Sequence, residues 1–279
     1  MTEAPIEVAA GDGVLHGHVG GTGVPALLLH GGPGLPDYLE SCASELSELF
    51  TTIRYTQRGV EPSTVGPPYS IETHMADALT VLDARGLDKA WAVGHSWGGH
   101  LALHLAVAHP ERLHGVVAID TLGASADVLP EFERRLFGRM PEEARTRVQE
   151  IEERWHAGEA TREQLNEQHD LVWPYYFSDP VSAPAPLIHT NGPECYSDTF
   201  ASINEHFERG TLRTGLPNLR LPALFIHGVD DPIPMRSSTE TAQLSPGATV
   251  RRVQGAGHFP WLEQPGSLER IIRGLIAQL

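Results

Sequence analysis

Residues 92–110, "AVGHSWGGHLALHLAVAHP", hold a short G-H-S-W-G element, Gly94 to Gly98, between an apolar run and a run with helical spacing. The run before it, "AWAVGH", has the length and apolarity of a buried strand, and "WGGHLALHLAVAH" starts a helix at once. A strand-to-helix turn this tight needs small residues at Gly94, Gly98 and Gly99, because side chains there would meet neighbouring backbone. Such a turn lifts Ser96 above the sheet edge at a helix N-terminus and directs the next amide, that of Trp97, toward an oxyanion.

Working outward, short apolar runs alternate with amphipathic ones, which predicts an α/β fold with a mainly parallel sheet between helices. "IEVAA" and "VLHGHVG" flank Gly11-Asp12-Gly13 and predict an opening hairpin. "PALLLH" (25–30), "TTIRYT", "LHGVVAID", "LPALFIHG" and "ATVRRVQ" are further strands, and helices fit 37–50, 71–85 and 97–108. Residues 122–215 are charged and rich in helix formers, with Val148, Ile151 and Trp155 at helical spacing. The expected organisation is one core, 1–121 with 216–279, interrupted by a helical cap at 122–215.

Bulk properties narrow the function. The chain has 279 residues, 41% of them hydrophobic, and a formal charge of -16. That acidic balance argues against nucleic acid or an anionic membrane as partner. Cys42 and Cys195 lie far apart, so neither a disulfide framework nor a zinc site is expected. No secretory signal and no run of membrane-spanning length is visible, so a soluble cytoplasmic protein is the default expectation. His100 and His104 lie four apart on a helix without H-E-x-x-H or a third ligand, and read as surface or packed histidines. No metal and no organic cofactor is expected, and the oligomeric state is open.

Serine is a weak nucleophile and needs a histidine base oriented by a carboxylate. Both occur downstream at strand ends: Asp230 and Asp231 in "LFIHGVDDPIP", then His258 in "VQGAGHFPWLEQP". The loop "HGGPG", 30–34, follows the third strand and can present a second oxyanion amide, assigned to Gly32. Joined together, these elements predict acyl transfer from a small-molecule or short-peptide substrate to Ser96, with His258 as the base.

At this point the chain resembles the α/β-hydrolase superfamily, and within it the proline iminopeptidase branch. "HGGPG" with "QRG" at 57–59 is similar to that branch's H-G-G-P-G and D-Q-R-G-x-G-x-S, and "GHSWGG" to its G-G-S-W-G-G. The resemblance selects Asp231 over Asp230, through the spacing Gly228-x-x-Asp-x-x-Pro234. In the cap, "NGPECY" (191–196) resembles N-G-P-x-E-F, which implies that Glu194 holds a peptide's free α-amino group. The glutamate stands one position early, Thr56 replaces the branch's leading Asp, Glu61 its second Gly, and Pro232 follows the acid. The implied activity is a serine aminopeptidase. The alternatives on the same three residues are an esterase, a lactonase or a C–C bond hydrolase, and, in a different class, a non-catalytic binder.

Overall fold

The computed structural model describes residues 3–186 and 192–277. Eight strands form one sheet: β1 (Ala4–Ala10), β2 (Gly13–Gly21), β3 (Val24–Leu29), β4 (Phe50–Tyr55), β5 (Ala90–His95), β6 (Leu113–Ile119), β7 (Ala223–Gly228) and β8 (Thr249–Val253). Their order is β1-β2-β4-β3-β5-β6-β7-β8. The opening hairpin pairs antiparallel, β2 joins β4 antiparallel, and every later pairing is parallel.

Each face of the sheet has its own core, as strict alternation requires. Leu27, Leu29, Ala92, Val116 and Ala118 face α2 (Ile71–Ala84) and α3 (Trp97–Ala108). Ala26, Leu28, Val93, Val117 and Ile119 face the opposite layer of α1 (Glu40–Leu46) and the C-terminal helices. Helix α3 is buried from Trp97 to Ala106, which explains its apolar sequence on all sides.

The expected helix over 37–50 is shorter than its sequence pattern. The Asp37 carboxylate accepts the Leu39 amide at 2.9 Å and also pairs with Arg54, holding this segment in a turn. At the other end Phe50 is drawn into β4 opposite Val24. Helix α2 begins on a reciprocal cap between Ser70 and Thr73, and Gly86 just beyond it has φ 65°.

Between β6 and β7 the chain forms α4 (Leu129–Gly138), α5 (Glu142–His156), α6 (Arg162–Val172), α7 (Pro193–Arg209) and α8 (Thr211–Gly215). In α5, Val148 and Ile151 are buried while Trp155 is half-buried. After β7 come α9 (Arg236–Leu244), the single turn α10 (Pro260–Glu263) and α11 (Ser267–Ile276). No described helix is long and apolar enough to cross a membrane.

The connection from β3 runs to β4 on one side, and the chain then returns to β5 on the other side of β3. The strand order therefore reverses between β3 and β5. A crevice opens beyond the carboxyl ends of strands at such a reversal. "HGGPG" leaves the end of β3 and Ser96 the end of β5.

Candidate active site

Ser96 is the single residue between β5 and α3, at φ 56° and ψ -121°. A side chain in this left-handed region costs on the order of 1–3 kcal/mol, tolerated only where the surroundings enforce it. Here they do. The Ser96 amide donates to Ile119 O at 2.8 Å. A Cβ on Gly94 would lie 2.0 Å from Gly98 O, and one on Gly98 2.0 Å from Leu29 O. Trp97 opens α3, so its N–H is among those a helix leaves without an internal acceptor.

The 30–34 loop lies directly against this turn. A Cβ on Gly31 would stand 2.9 Å from Ser96 Cβ. Gln57 ties the two segments: its Nε2 donates to His30 O at 2.8 Å, and its Oε1 accepts Trp97 Nε1–H at 2.8 Å. The two amides assigned to the oxyanion, Gly32 and Trp97, thus belong to segments joined through one buried side chain. Gln57 carries a role the sequence reading did not give it. Its signal was the "QRG" triplet.

Of the two aspartates after β7, Asp230 is exposed and Asp231 is buried. Asp231 Oδ1 accepts the Ile233 amide at 2.8 Å and Oδ2 accepts His258 Nδ1–H at 2.9 Å. That bond leaves the lone pair of His258 on Nε2. Burial pushes the His258 imidazole down to about 3, which keeps it neutral. The ring packs on Tyr176 at 5.1 Å between centroids, and the His258 amide donates to Tyr176 O at 2.7 Å. Glu263 fixes the same loop by accepting the amides of Gly257 and Ser178.

A second carboxyl group, which sequence reasoning missed, stands beside Asp231. Asp120 follows β6 at φ 47°, is fully buried, and accepts the Gly228 amide at 2.8 Å. Asp120, His227 and Asp231 present oxygen and nitrogen atoms within 4.8 Å of one another. Burial first, then the neighbouring Asp231 charge, raises Asp120; burial likewise raises Asp231. As a metal cradle the trio is already committed. His227 Nε2 donates to Ile233 O, its Nδ1 meets Ser238 Oγ, and Asp231 holds His258. His100 and His104 are also engaged, with each other at 3.2 Å and, through His100 Nδ1, with Gly123 O.

A cavity of about 210 Å³ adjoins Gly32 and Tyr176. Its apolar wall includes Leu35, Trp155, Leu165, Val172 and Tyr196, with Gln168 and His169 as polar groups. No carboxylate among the described residues lines it. Gln168 Nε2 does donate to Glu152 Oε1 at 3.1 Å, and burial raises that half-buried acid. Glu194 is elsewhere: it is exposed, on the wall of a separate hollow with Glu61, Tyr69 and Arg162. The structure therefore does not bring Glu194 to the cavity beside Gly32. Asn191, the start of the segment that pointed to Glu194, lies outside the described residues.

The sheet order, the serine turn and the distal Asp–His pair define an α/β hydrolase, and the alpha/beta hydrolase fold family profile matches residues 25–265. The chain belongs to that family and is a hydrolase. It is 28% identical over 273 residues to the 2-hydroxymuconate semialdehyde hydrolase of Pseudomonas putida, covering 94% of this chain and 90% of that one. It is 27% identical over 268 residues to the proline iminopeptidase of Lactobacillus delbrueckii subsp. bulgaricus, covering 89% of this chain and 88% of that one. Among solved structures, an alpha/beta fold family hydrolase from Bacillus anthracis str. Sterne superposes with a TM-score of 0.76. That match has 18% identity and covers 98% of this chain and 99% of the other.

Proposed function

We propose that the protein is a serine hydrolase that works through an acyl-enzyme on uncharged substrates with an apolar acyl portion. Ser96 Oγ attacks the carbonyl while His258 Nε2 takes its proton, and Asp231 fixes the tautomer and stabilises the imidazolium. The amides of Gly32 and Trp97 receive the oxyanion, each worth on the order of 3 kcal/mol in a dry site. His258 then protonates the leaving group and activates the water that releases the acyl group. Residues 122–215 serve as a cap supplying most of the cavity wall, with Tyr176 against His258.

The observation that carries the substrate class is the wall beside Gly32, where Leu35, Leu165, Val172 and Tyr196 offer apolar contact and no fixed anion. An ester, a lactone or a vinylogous ketone fits that wall. The similarity to 2-hydroxymuconate semialdehyde hydrolase supports a hydrolase that needs no amine-binding carboxylate.

A second reading, an aminopeptidase, is favoured by one observation besides the proline iminopeptidase similarity: Glu152 stands behind Gln168 at the cavity. Glu152, rather than Glu194, would then hold the amine.

The test compares a fluorophosphonate label and two substrate sets. Wild type takes the label and Ser96→Ala does not. Rates on short and medium acyl esters exceed those on N-terminal Pro or Ala arylamides. Faster arylamide cleavage that collapses in Glu152→Gln selects the aminopeptidase. A folded wild type that takes no label sinks the serine mechanism.

A further inference from the structure

Tyr38 and His95 stand outside the residues that carry the proposed chemistry, yet their side chains join its parts. The Gly31 amide donates to Tyr38 Oη at 2.7 Å, Tyr38 Oη meets His95 Nδ1 at 2.7 Å, and His95 Nε2 meets His258 O at 2.6 Å. The direction of every bond follows from the last one. A carbonyl oxygen only accepts, so Nε2 of His95 carries the ring proton. The neutral ring then accepts at Nδ1, the Tyr38 hydroxyl donates to it, and the hydroxyl's lone pair takes the Gly31 N–H. No donor competes with another.

We propose that Tyr38 and His95 are positioning residues for the reaction, a single hydrogen-bonded chain that sets the His258 main chain against the oxyanion loop. It rests on the reading of Ser96, His258 and Gly32 given above. The chain begins one residue before Gly32, ends on the backbone of His258, and passes through the residue preceding Ser96.

Packing fixes the ring as well as the bonds. His95 lies 4.5 Å from the His258 ring, 5.0 Å from Phe259 and 4.8 Å from Trp261, centroid to centroid. Tyr38 meets Phe259 edge-on at 5.9 Å. Burial, and after it the neighbouring His258, holds His95 well below the usual histidine range; burial holds the Tyr38 hydroxyl above its own. Both groups therefore keep one protonation state while His258 cycles through two. A neutral, single-tautomer chain can hold position without exchanging a proton with the base it supports.

Buried polar pairs are ordinarily satisfied, and satisfaction alone would show only in stability. Positioning shows in turnover. Tyr38→Phe keeps the ring contacts, strands the Gly31 N–H and frees the His95 tautomer. The apolar wall at Leu165 and Val172, which binds the acyl group in the proposed function, is left untouched.

The experiment measures kcat and KM on the best ester for wild type, Tyr38→Phe, His95→Phe and the double variant, beside fluorophosphonate labelling of Ser96. Each single variant is expected to lose about tenfold or more in kcat with KM within about twofold. The double variant should fall no lower than the poorer single, because both break one chain. Losses that multiply in the double, a change confined to KM, or an unchanged kcat in Tyr38→Phe overturns the inference while labelled wild type leaves the serine mechanism standing. An unlabelled, folded wild type overturns both. If the variants do not fold, nitrogen-15 spectra of wild-type histidines decide: the His95 proton belongs on Nε2 and stays there as pH changes, and a proton on Nδ1 overturns the chain.

Discussion

The carboxyl groups of Asp120 and Asp231 share one buried pocket at the ends of β6 and β7, with oxygens of both within 4.8 Å of each other and of a His227 nitrogen. Two carboxylates this close do not both ionise without cost. Asp231 has the better claim to the charge, because it accepts both His258 Nδ1–H and the Ile233 amide.

Asp120→Asn should therefore stabilise the protein in a pH-dependent way. The Asp120 pKa is raised in the fold, so its contribution is fully present below the unfolded value and is lost as pH rises toward the folded one. Asparagine carries no such loss, tolerates the φ of 47°, and still accepts the Gly228 amide. Thermal melts from about pH 6 upward, where the fold is intact, should show a gain that grows with pH by about 1.4 kcal/mol per unit at most. A gain independent of pH would contradict the shared pocket.

Asp231→Asn and Asp230→Asn should part company. The first removes the acceptor that fixes the His258 tautomer and should lower kcat by about 10⁴-fold, as loss of an orienting carboxylate does in serine hydrolysis. Asp230 is exposed and takes no part in that bond, so its variant should retain kcat within about twofold. Steady-state kinetics on one ester suffices.

Ser96→Gly and Ser96→Ala should both be inactive yet differ in stability. Alanine inherits the strained φ of 56° and glycine does not. Chemical denaturation should find the glycine variant more stable than the alanine variant by about 1 kcal/mol, after glycine's extra unfolded-state entropy is subtracted. A glycine variant less stable than the alanine variant by about 0.5–1 kcal/mol, the entropy cost alone, would mean that the turn carries no strain.

Acid should unfold the protein early. Burial lowers His74 and His258 to about 3 and His100 and His227 to about 4, and it depresses His30, His95 and His104 as well. Each stays neutral in the fold and takes a proton when released. The stability they carry is complete above the unfolded value near 6.5 and drains as pH falls below it, by about 1.4 kcal/mol per unit for each ring. Circular dichroism should show a cooperative loss centred near about pH 5. His100→Gln, which can still donate to Gly123 O, should move the midpoint downward.

How much of this was legible depends on the range of the interaction involved. The serine turn was readable because its demand is local. Gly94 and Gly98 are excluded from carrying side chains by contacts within the strand, turn and helix, and by Leu29 of the neighbouring strand. Strand 90–95 and helix 97–108 follow directly from that. The helix over 37–50 was overread, since periodicity does not register that Asp37 bonds Leu39 and pairs with Arg54.

The amino-acid sequence by itself determined the α/β architecture, the serine turn, the glycine-rich loop after β3, and the Asp and His that follow in chain order. These rest on backbone sterics and on apolar periodicity, which neighbouring residues impose. Only the tertiary structure decided that Asp120 shares the pocket of Asp231, the acid that the spacing to Pro234 already selects by resemblance. It alone joined Tyr38, His95 and His258, and turned Glu194 away from the cavity beside Gly32. Those choices are made by contacts between segments up to 163 residues apart, where burial and hydrogen-bond partners exist only after the sheet has closed.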